Sequence, residues 1–435
     1  MRAQGIRPAA SIALAAGLRF AAGMALAAGP FAYWPARAQP ATDSLGANPL
    51  GATVEGLLEA GQRLSPALRA ASLDTAAASA KADGAGRLDD PTIADNYEYY
   101  RDPGVFSGHA VMVSQAFPLW GKRDLRRQAA LADVDAARGQ ERAARDALDE
   151  KIKVAYAQYY LASRDIAVNR EIAQLAQRMR SAAAARYGQN SGDQTSVIAA
   201  MGEETNAKTE AVRLQGEKAA AVARLNALIG RPGDARLAEP ERLRPIPPTE
   251  PPIAALSGRA RSANPTLRAS DAAVAAARAR DRLAGKAWYP DVTLGAGPLI
   301  QTNNQPAGFA ASVGFNIPVP WGREASGQRE AAAQLGAAQQ KYEAATREIE
   351  GALGEAVARL RAARTTEALL RREAMPQARA AFDAVLASYS QGKTDLGAAI
   401  AVEHQLHDID LRLLQAQMDE QVECAGIERL IGGPL

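Results

Sequence analysis

Phe309-Ala310-Ala311-Ser312-Val313-Gly314-Phe315-Asn316-Ile317-Pro318-Val319-Pro320-Trp321-Gly322-Arg323 changes its periodicity partway along. Phe309, Ala311, Val313, Phe315 and Ile317 fall on one side, while Ala310, Ser312, Gly314 and Asn316 fall on the other. A period of two marks a strand with one apolar face. The prolines end it, and an Ala-, Gln- and Glu-rich run of good helix formers begins at Gly322. Val292-Thr293-Leu294-Gly295-Ala296 is the expected hairpin partner, joined through the polar loop Thr302-Asn303-Asn304-Gln305. Alternation over about 9–11 residues is what a membrane-spanning strand needs. Taken alone, it fits an ordinary hairpin on a soluble helical domain equally well.

The junction has a counterpart about 200 residues earlier, Phe117-Pro118-Leu119-Trp120-Gly121-Lys122-Arg123. Tyr187 and Asp193 recur as Tyr389 and Asp395, and Leu228-Ile229-Gly230 recurs as Leu430-Ile431-Gly432. Upstream, Pro66-Ala67-Leu68-Arg69-Ala70 recurs as Pro265-Thr266-Leu267-Arg268-Ala269. A separation held this evenly indicates an internal duplication of a large unit. The copies cover residues 39–239 and 253–435. Residues 240–252 carry Pro240, Pro245, Pro247, Pro248, Pro251 and Pro252 and read as an extended linker. The first copy's strands are expected near Ile93–Tyr100 and Gly108–Phe117, with Val111, Val113 and Phe117 on one face.

Between Pro118 and Pro232 the chain has no proline. Leu148, Ile152, Ala155, Tyr159, Ala162 and Ile166 alternate in steps of four and three, and Leu175, Met179 and Ala182 continue after a phase shift. This is a coiled-coil seam rich in small residues. One helix from Gly121 to Tyr187 would be about 100 Å long. A turn at Gly188–Asp193 precedes a second helix from Gln194 to Leu228, stopped by Gly230-Arg231-Pro232. The second copy repeats this with a helix from Gly322, kinked or broken at Pro376, a turn at Gln391-Gly392-Lys393, and a helix from Asp395 to Leu430. One further helix opens each copy, near Thr53–Gly84 and Ile253–Lys286.

Residues 1–38 have the three parts of an export signal: basic Arg2 and Arg7, an Ala-rich apolar run, and Ala36-Arg37-Ala38 before Gln39. With Arg2, Arg7, Arg19 and Arg37 removed, the formal charge of +3 turns slightly negative, so nucleic acid is not an expected partner. The single cysteine, Cys424, excludes an internal disulfide and a thiolate metal cluster, and no cysteine follows the cleavage site to carry a lipid anchor. No Gly-rich phosphate loop, His-Glu-x-x-His or nucleophile–base set occurs, so neither an enzyme nor a cofactor is expected.

Four strands cannot close a barrel, and open edges in lipid cost several kcal/mol per unpaired group. Placed in a membrane, the strands therefore imply oligomers, and a trimer would supply twelve. The strand-to-helix junctions, together with Met375-Pro376-Gln377-Ala378, Tyr389 and Gly392, resemble the TolC family of outer-membrane efflux proteins over nearly all of the exported chain. The resemblance implies a mainly α fold with a small β part. Each duplicated helix–β-hairpin–long helical pair would join a homotrimeric, 12-stranded outer-membrane β-barrel continued by a periplasmic α-helical barrel. It also implies outer-membrane lipid around the strands, a periplasmic adaptor (membrane fusion protein) and an inner-membrane RND-type transporter. Alternatives are a drug efflux or type I secretion duct and, in a different class, a periplasmic coiled-coil adaptor or structural protein.

Carried onto this sequence, the periplasmic tip comprises Asp193, Gln194 and Thr195 in one turn and Lys393, Asp395, Leu396 and Gly397 in the other. Each Asp either caps its helix, forms part of a charged ring at the gate, or does both. His404 and His407, two of only three histidines, lie one helical turn apart. They are either a solvated helix face or a metal-cation contact. The pair, with Pro118-Leu119-Trp120-Gly121-Lys122-Arg123, favours metal cations as cargo.

Overall fold

The computed structural model describes residues 50–98, 108–189, 192–249, 251–301, 307–319, 323–391 and 393–435. The expected export signal (1–38), the Thr302–Gln305 loop, Trp321-Gly322 and Gly392 lie outside these residues. Helices α1 (Val54–Leu64) and α2 (Pro66–Ala85) lead into strands β1 (Thr92–Glu98) and β2 (Gly108–Phe117), then into α3 (Lys122–Gly188) and α4 (Gln194–Leu228). The same order returns as α5 (Ile253–Ala263), α6 (Pro265–Gly285), β3 (Val292–Gln301), β4 (Gly308–Phe315), α7 (Arg323–Leu369), α8 (Met375–Ser390) and α9 (Leu396–Ile431). Helix α3 alone has 67 residues, which makes it about 100 Å long. No described helix is long and apolar enough to cross a membrane.

The single opening helices expected at Thr53–Gly84 and Ile253–Lys286 are each two helices. Ser65 and Asn264 precede prolines and are extended, with ψ of 121° and 123°, because the proline ring disfavours helical geometry in the residue before it. Pro66 and Pro265 then start the next helix, where their missing N–H is no loss. Pro376 also acts differently from expectation. The chain stays helical through it, and the five residues Leu370–Ala374 just before it form a π-turn. The separation between the copies grows by one residue across this segment, so the π-turn absorbs a single insertion.

The two halves have matching cores. Leu57, Leu148, Ile152, Ala155, Tyr156, Tyr159, Leu225 and Ile229 are buried in one. Their counterparts Leu256, Ile349, Leu353, Ala356, Val357, Leu360, Ile427 and Ile431 are buried in the other, which also encloses the free thiol of Cys424. The expected α3 seam is buried from Leu148 to Ile166 and shifts beyond it. There Ala176, Met179 and Ala183 are buried, Leu175 is half-buried and Ala182 is exposed. In an Ala-rich run neighbouring positions do not differ in size, so the phase is set by the partner helices. The chain at Ala238–Arg244, leading into the Pro-rich segment, is a strap across α3 and α9. The Tyr156 hydroxyl donates to Ala52 O (2.8 Å) and Arg242 O (2.9 Å), and the Tyr159 hydroxyl donates to Ala238 O (3.0 Å). Arg244 pairs with Glu428 at 2.7 Å, and Lys153 of α3 pairs with the same carboxylate at 2.8 Å.

The hairpins join into one antiparallel sheet of order β1-β2-β3-β4, with β1 and β4 at its edges. In its register Ile93 lies opposite Val113, Val113 opposite Ala296, and Leu294 opposite Val313. One face therefore collects Ile93, Val113, Leu294, Val313 and Phe315, and Ile93 is 74% exposed. The other face is tightly packed around Gly295, where an added methyl would stand 2.5 Å from Ser312 Oγ and 2.8 Å from Ser114 Oγ.

Sheet and stem are clamped where β2 meets α3. Trp120 (φ 62°) is the sole non-glycine residue with positive φ among the described residues, and its indole donates to Pro290 O at 2.7 Å. Asp291 accepts from Leu119 N at 3.0 Å and from Lys122 Nζ at 2.8 Å, with Lys122 only 6% exposed. Asp291→Ala leaves that ammonium buried without its carboxylate, a loss of about 3 kcal/mol. The expected outcome is a lower urea midpoint with an unchanged far-UV spectrum, checked by equilibrium unfolding of the detergent-extracted protein.

Candidate functional site

The two helix-turns, far apart in sequence, share one small core. Met179 and Ala183 of α3, Ala200 of α4, Tyr389 of α8, and Leu396 and Ala399 of α9 are buried together. Leu396, a tip residue in the sequence reading, is thus an apolar anchor of this end. Gln194, Thr195, Lys393 and Gly397 are exposed.

Both aspartates cap helices. The Asp193 carboxylate accepts from Ser196 N at 3.2 Å, from Ser196 Oγ at 2.5 Å and from Thr195 Oγ1 at 2.5 Å. These donors, the Ser196 hydroxyl foremost, hold its pKa down to about 2. Asp395 accepts from Ala398 N at 3.2 Å. A methyl at Gly397 would stand 3.2 Å from Asp395 Oδ2, so glycine leaves that carboxylate room. Arg186 ties the turns together across the copies: it donates to Tyr389 O at 3.5 Å and lies 5.3 Å from the centre of the Tyr389 ring. In the sequence Tyr389 stands out as a repeat mark and as part of the family resemblance, not as a partner of Arg186. Its aromatic character beside an arginine-bearing helix end was the available signal, but the pairing is a long-range one that periodicity does not encode.

Next to this core a groove of ≈ 920 Å³ runs between α3, α8 and α9, lined by Val168, Ile172, Leu175, Phe382, Leu386 and Leu406. Glu403, His407 and Asp410 face it. Burial raises the pKa of Glu403 and Asp410 and lowers that of His407, so all three lean towards their neutral forms. His407 also lines a second cavity of ≈ 300 Å³ with Asp165, Asn169, Glu210 and Arg213. His404 and His407 do not act as a pair. His404 turns to Glu203 of α4, at 3.1 Å, with Glu403 at 3.7 Å, whereas His407 turns inward. Among the described residues no three His, Cys, Asp or Glu side chains converge in a metal-binding group.

Asp165 is the most perturbed acid of this region. Burial, reinforced by Glu217, raises its pKa to about 6, and its Oδ1 is buried without a hydrogen-bond partner. The folded chain holds this proton more tightly than the unfolded chain, whose pKa lies near 3.8. Ionisation of Asp165 above about pH 6 therefore destabilises the fold, and the penalty fades as pH falls towards the unfolded value. Asp165→Asn should raise the melting temperature at alkaline pH and lose that advantage in acid; a gain that does not vary with pH would contradict the assignment.

Residues 256–433 match the sequence model of the family described as outer membrane efflux protein. A comparison with curated proteins found no match. Among solved structures the chain is similar to CusC, studied for conformational changes accompanying folding and transmembrane channel formation, with TM-score 0.75, 17% identity and coverage of 92% of this chain and 98% of that one. The outer membrane protein VceC of Vibrio cholerae gives TM-score 0.75 and 20% identity, covering 88% of this chain and 96% of that one. A membrane protein from Pseudomonas aeruginosa gives TM-score 0.76 and 19% identity, covering 88% and 90%. At these identities the structural likeness is one of fold, and it spans both halves of the chain. The sequence match to that family thus covers residues 256–433, while the likeness over the rest of the chain is one of fold.

Proposed function

We propose that this chain is the outer-membrane exit duct of a tripartite efflux system. It conducts cargo passively from a periplasmic adaptor and an inner-membrane RND-type pump to the exterior. The observation that carries the proposal is a four-stranded sheet with one exposed apolar face and two free edges, set on a helical stem. In lipid such a sheet must close with others. Three copies give twelve strands around an aqueous lumen, and their stems continue it into the periplasm. A periplasmic coiled-coil protein has no use for an apolar sheet face.

Transport needs side chains that let cargo pass. A duct should not hold its cargo tightly, and the separate orientations of His404 and His407 suit passage. Metal cations are the proposed cargo. Deleting the gene and measuring tolerance to a panel of divalent metals and drugs tests this: selective metal sensitivity is expected, and equal tolerance to every metal refutes the cargo assignment.

The helix-turns form the periplasmic gate, with Asp395 as its charged ring and the Arg186–Tyr389 tie bracing it. Asp395→Ser keeps a capping oxygen but removes the charge. In single-channel recordings of the trimer it should weaken cation selectivity and divalent block. Wild-type selectivity in Asp395→Ser would reduce Asp395 to a helix cap.

A further inference from the structure

The stem holds a basic cavity for which conduction through a duct has no use. It measures ≈ 550 Å³ and lies against α3 at the Ser65-Pro66 break, where α1 gives way to α2. Four arginines line it, Arg69, Arg138, Arg142 and Arg145, against a single acid, Glu141. Arg138, Arg142 and Arg145 stand at i, i+4 and i+7 along α3, the spacing that keeps side chains on one helix face.

Little within the chain answers this charge. Glu141 already accepts from Thr75 Oγ1 at 2.8 Å. Arg145 donates to the Gln62 side-chain oxygen, and the nitrogen of the same amide donates to Asp149 at 3.1 and 3.2 Å. A neutral amide thus fixes the Arg145 guanidinium. Arg138 pairs with Asp135 at 3.2 Å, with both side chains more than half exposed, a contact worth little. Among the described residues Arg142 has no hydrogen-bond or ion-pair partner.

The duplication shows that these cations are not a requirement of the fold. Arg69 has a counterpart in Arg268, and each donates to the carbonyl six residues before it, Arg63 O at 3.4 Å and Ser262 O at 2.8 Å. Arg69 is therefore a tie across the helix break. Arg138, Arg142 and Arg145, in contrast, correspond to Gln339, Glu343 and Thr346. The second copy builds the same α5–α6 break and packs α6 on α7 without them.

We propose that this cavity binds an anion of the periplasm that carries two or more linked phosphate or carboxylate groups, held by Arg138, Arg142 and Arg145. A guanidinium fork matches either oxyanion with two parallel hydrogen bonds. Arg138 and Arg145 are about 10 Å apart along α3, more than one oxyanion spans and within reach of two. They lie about 24 and 35 Å along α3 from Lys122, where stem meets sheet. A headgroup layer is about 5–7 Å thick, so lipid around the sheet does not reach them. That placement rests on the channel reading; the anion binding does not.

The test titrates the detergent-extracted full chain with inorganic pyrophosphate and with citrate by calorimetry. Saturable binding of at least one of the two is expected. Arg138→Gln with Arg142→Gln should weaken it at least about tenfold, the order expected on losing a hydrogen bond to a charged group. Arg138→Gln installs the second copy's own residue, so the fold tolerates it. Arg329→Gln, at an exposed position of α7, should leave binding unchanged. Binding of neither anion, or equal weakening by Arg329→Gln, overturns the site. In nanodiscs of phosphatidylcholine or phosphatidylglycerol the soluble anion should bind equally; loss in phosphatidylglycerol alone assigns the site to a headgroup and overturns the periplasmic source. Single-channel conductance separates the two readings: a conducting trimer that binds no anion overturns the site and leaves the channel standing, and a chain that binds anion yet forms no pore overturns the channel and its periplasmic placement.

Discussion

A strand edge in hydrocarbon has no water to satisfy its N–H and C=O groups; the sheet of this chain has two open edges, on β1 and β4, which the proposed membrane setting would have to close. Much of the rest of the structure follows from that constraint. The apolar face of Ile93, Val113, Leu294, Val313 and Phe315 suits lipid, while on the opposite face Gly295 packs closely against Ser114 and Ser312. In the proposed channel the sheet closes only with other copies, and the helices beneath it would stand as staves of a common wall. The Lys122–Asp291 clamp and the Trp120 turn hold each stave in line with its strand.

Duplication supplies two staves per chain from one packing solution. The cores of the halves match residue for residue, with Leu, Ile and Ala at equivalent depths. Where they differ, the difference is local. Tyr156 and Tyr159 replace Val357 and Leu360, and their hydroxyls need acceptors when buried; the strap and the segment before α1 provide them. The extra residue in the second copy is absorbed by the Leu370–Ala374 π-turn, which leaves the seams on either side in phase.

Much of this was legible in the sequence because it depends on local chemistry. Asp193 and the Gly230-Arg231-Pro232 stop bound α4, and the alternation of Phe309–Ile317 gives β4. The breaks at Ser65-Pro66 and Asn264-Pro265 were equally local, since a proline restricts the residue before it, but the helical composition on both sides masked them. What could not be read are pairings between distant segments. Arg186 with Tyr389, Arg244 with Glu428 and Lys122 with Asp291 each join residues whose sequence neighbourhoods give no sign of one another. The His404–His407 spacing shows the converse: a shared helix face did not bring the two rings to one site, because α4 draws one outward through Glu203 while the other is half-buried.

The two turns differ in how their aspartates are satisfied. Asp193 and Asp395 hold the same place in their copies and both cap a helix, yet their charges differ in availability. Two hydroxyls and a backbone N–H converge on Asp193, so much of its negative charge is already answered within the turn. Asp395 has a backbone N–H at its cap and a glycine, Gly397, where a side chain would crowd the carboxylate. Its outer oxygen is left free to meet ions from solvent. Of the two, Asp395 therefore keeps the more available charge, and Asp193 spends more of its charge on holding its own turn.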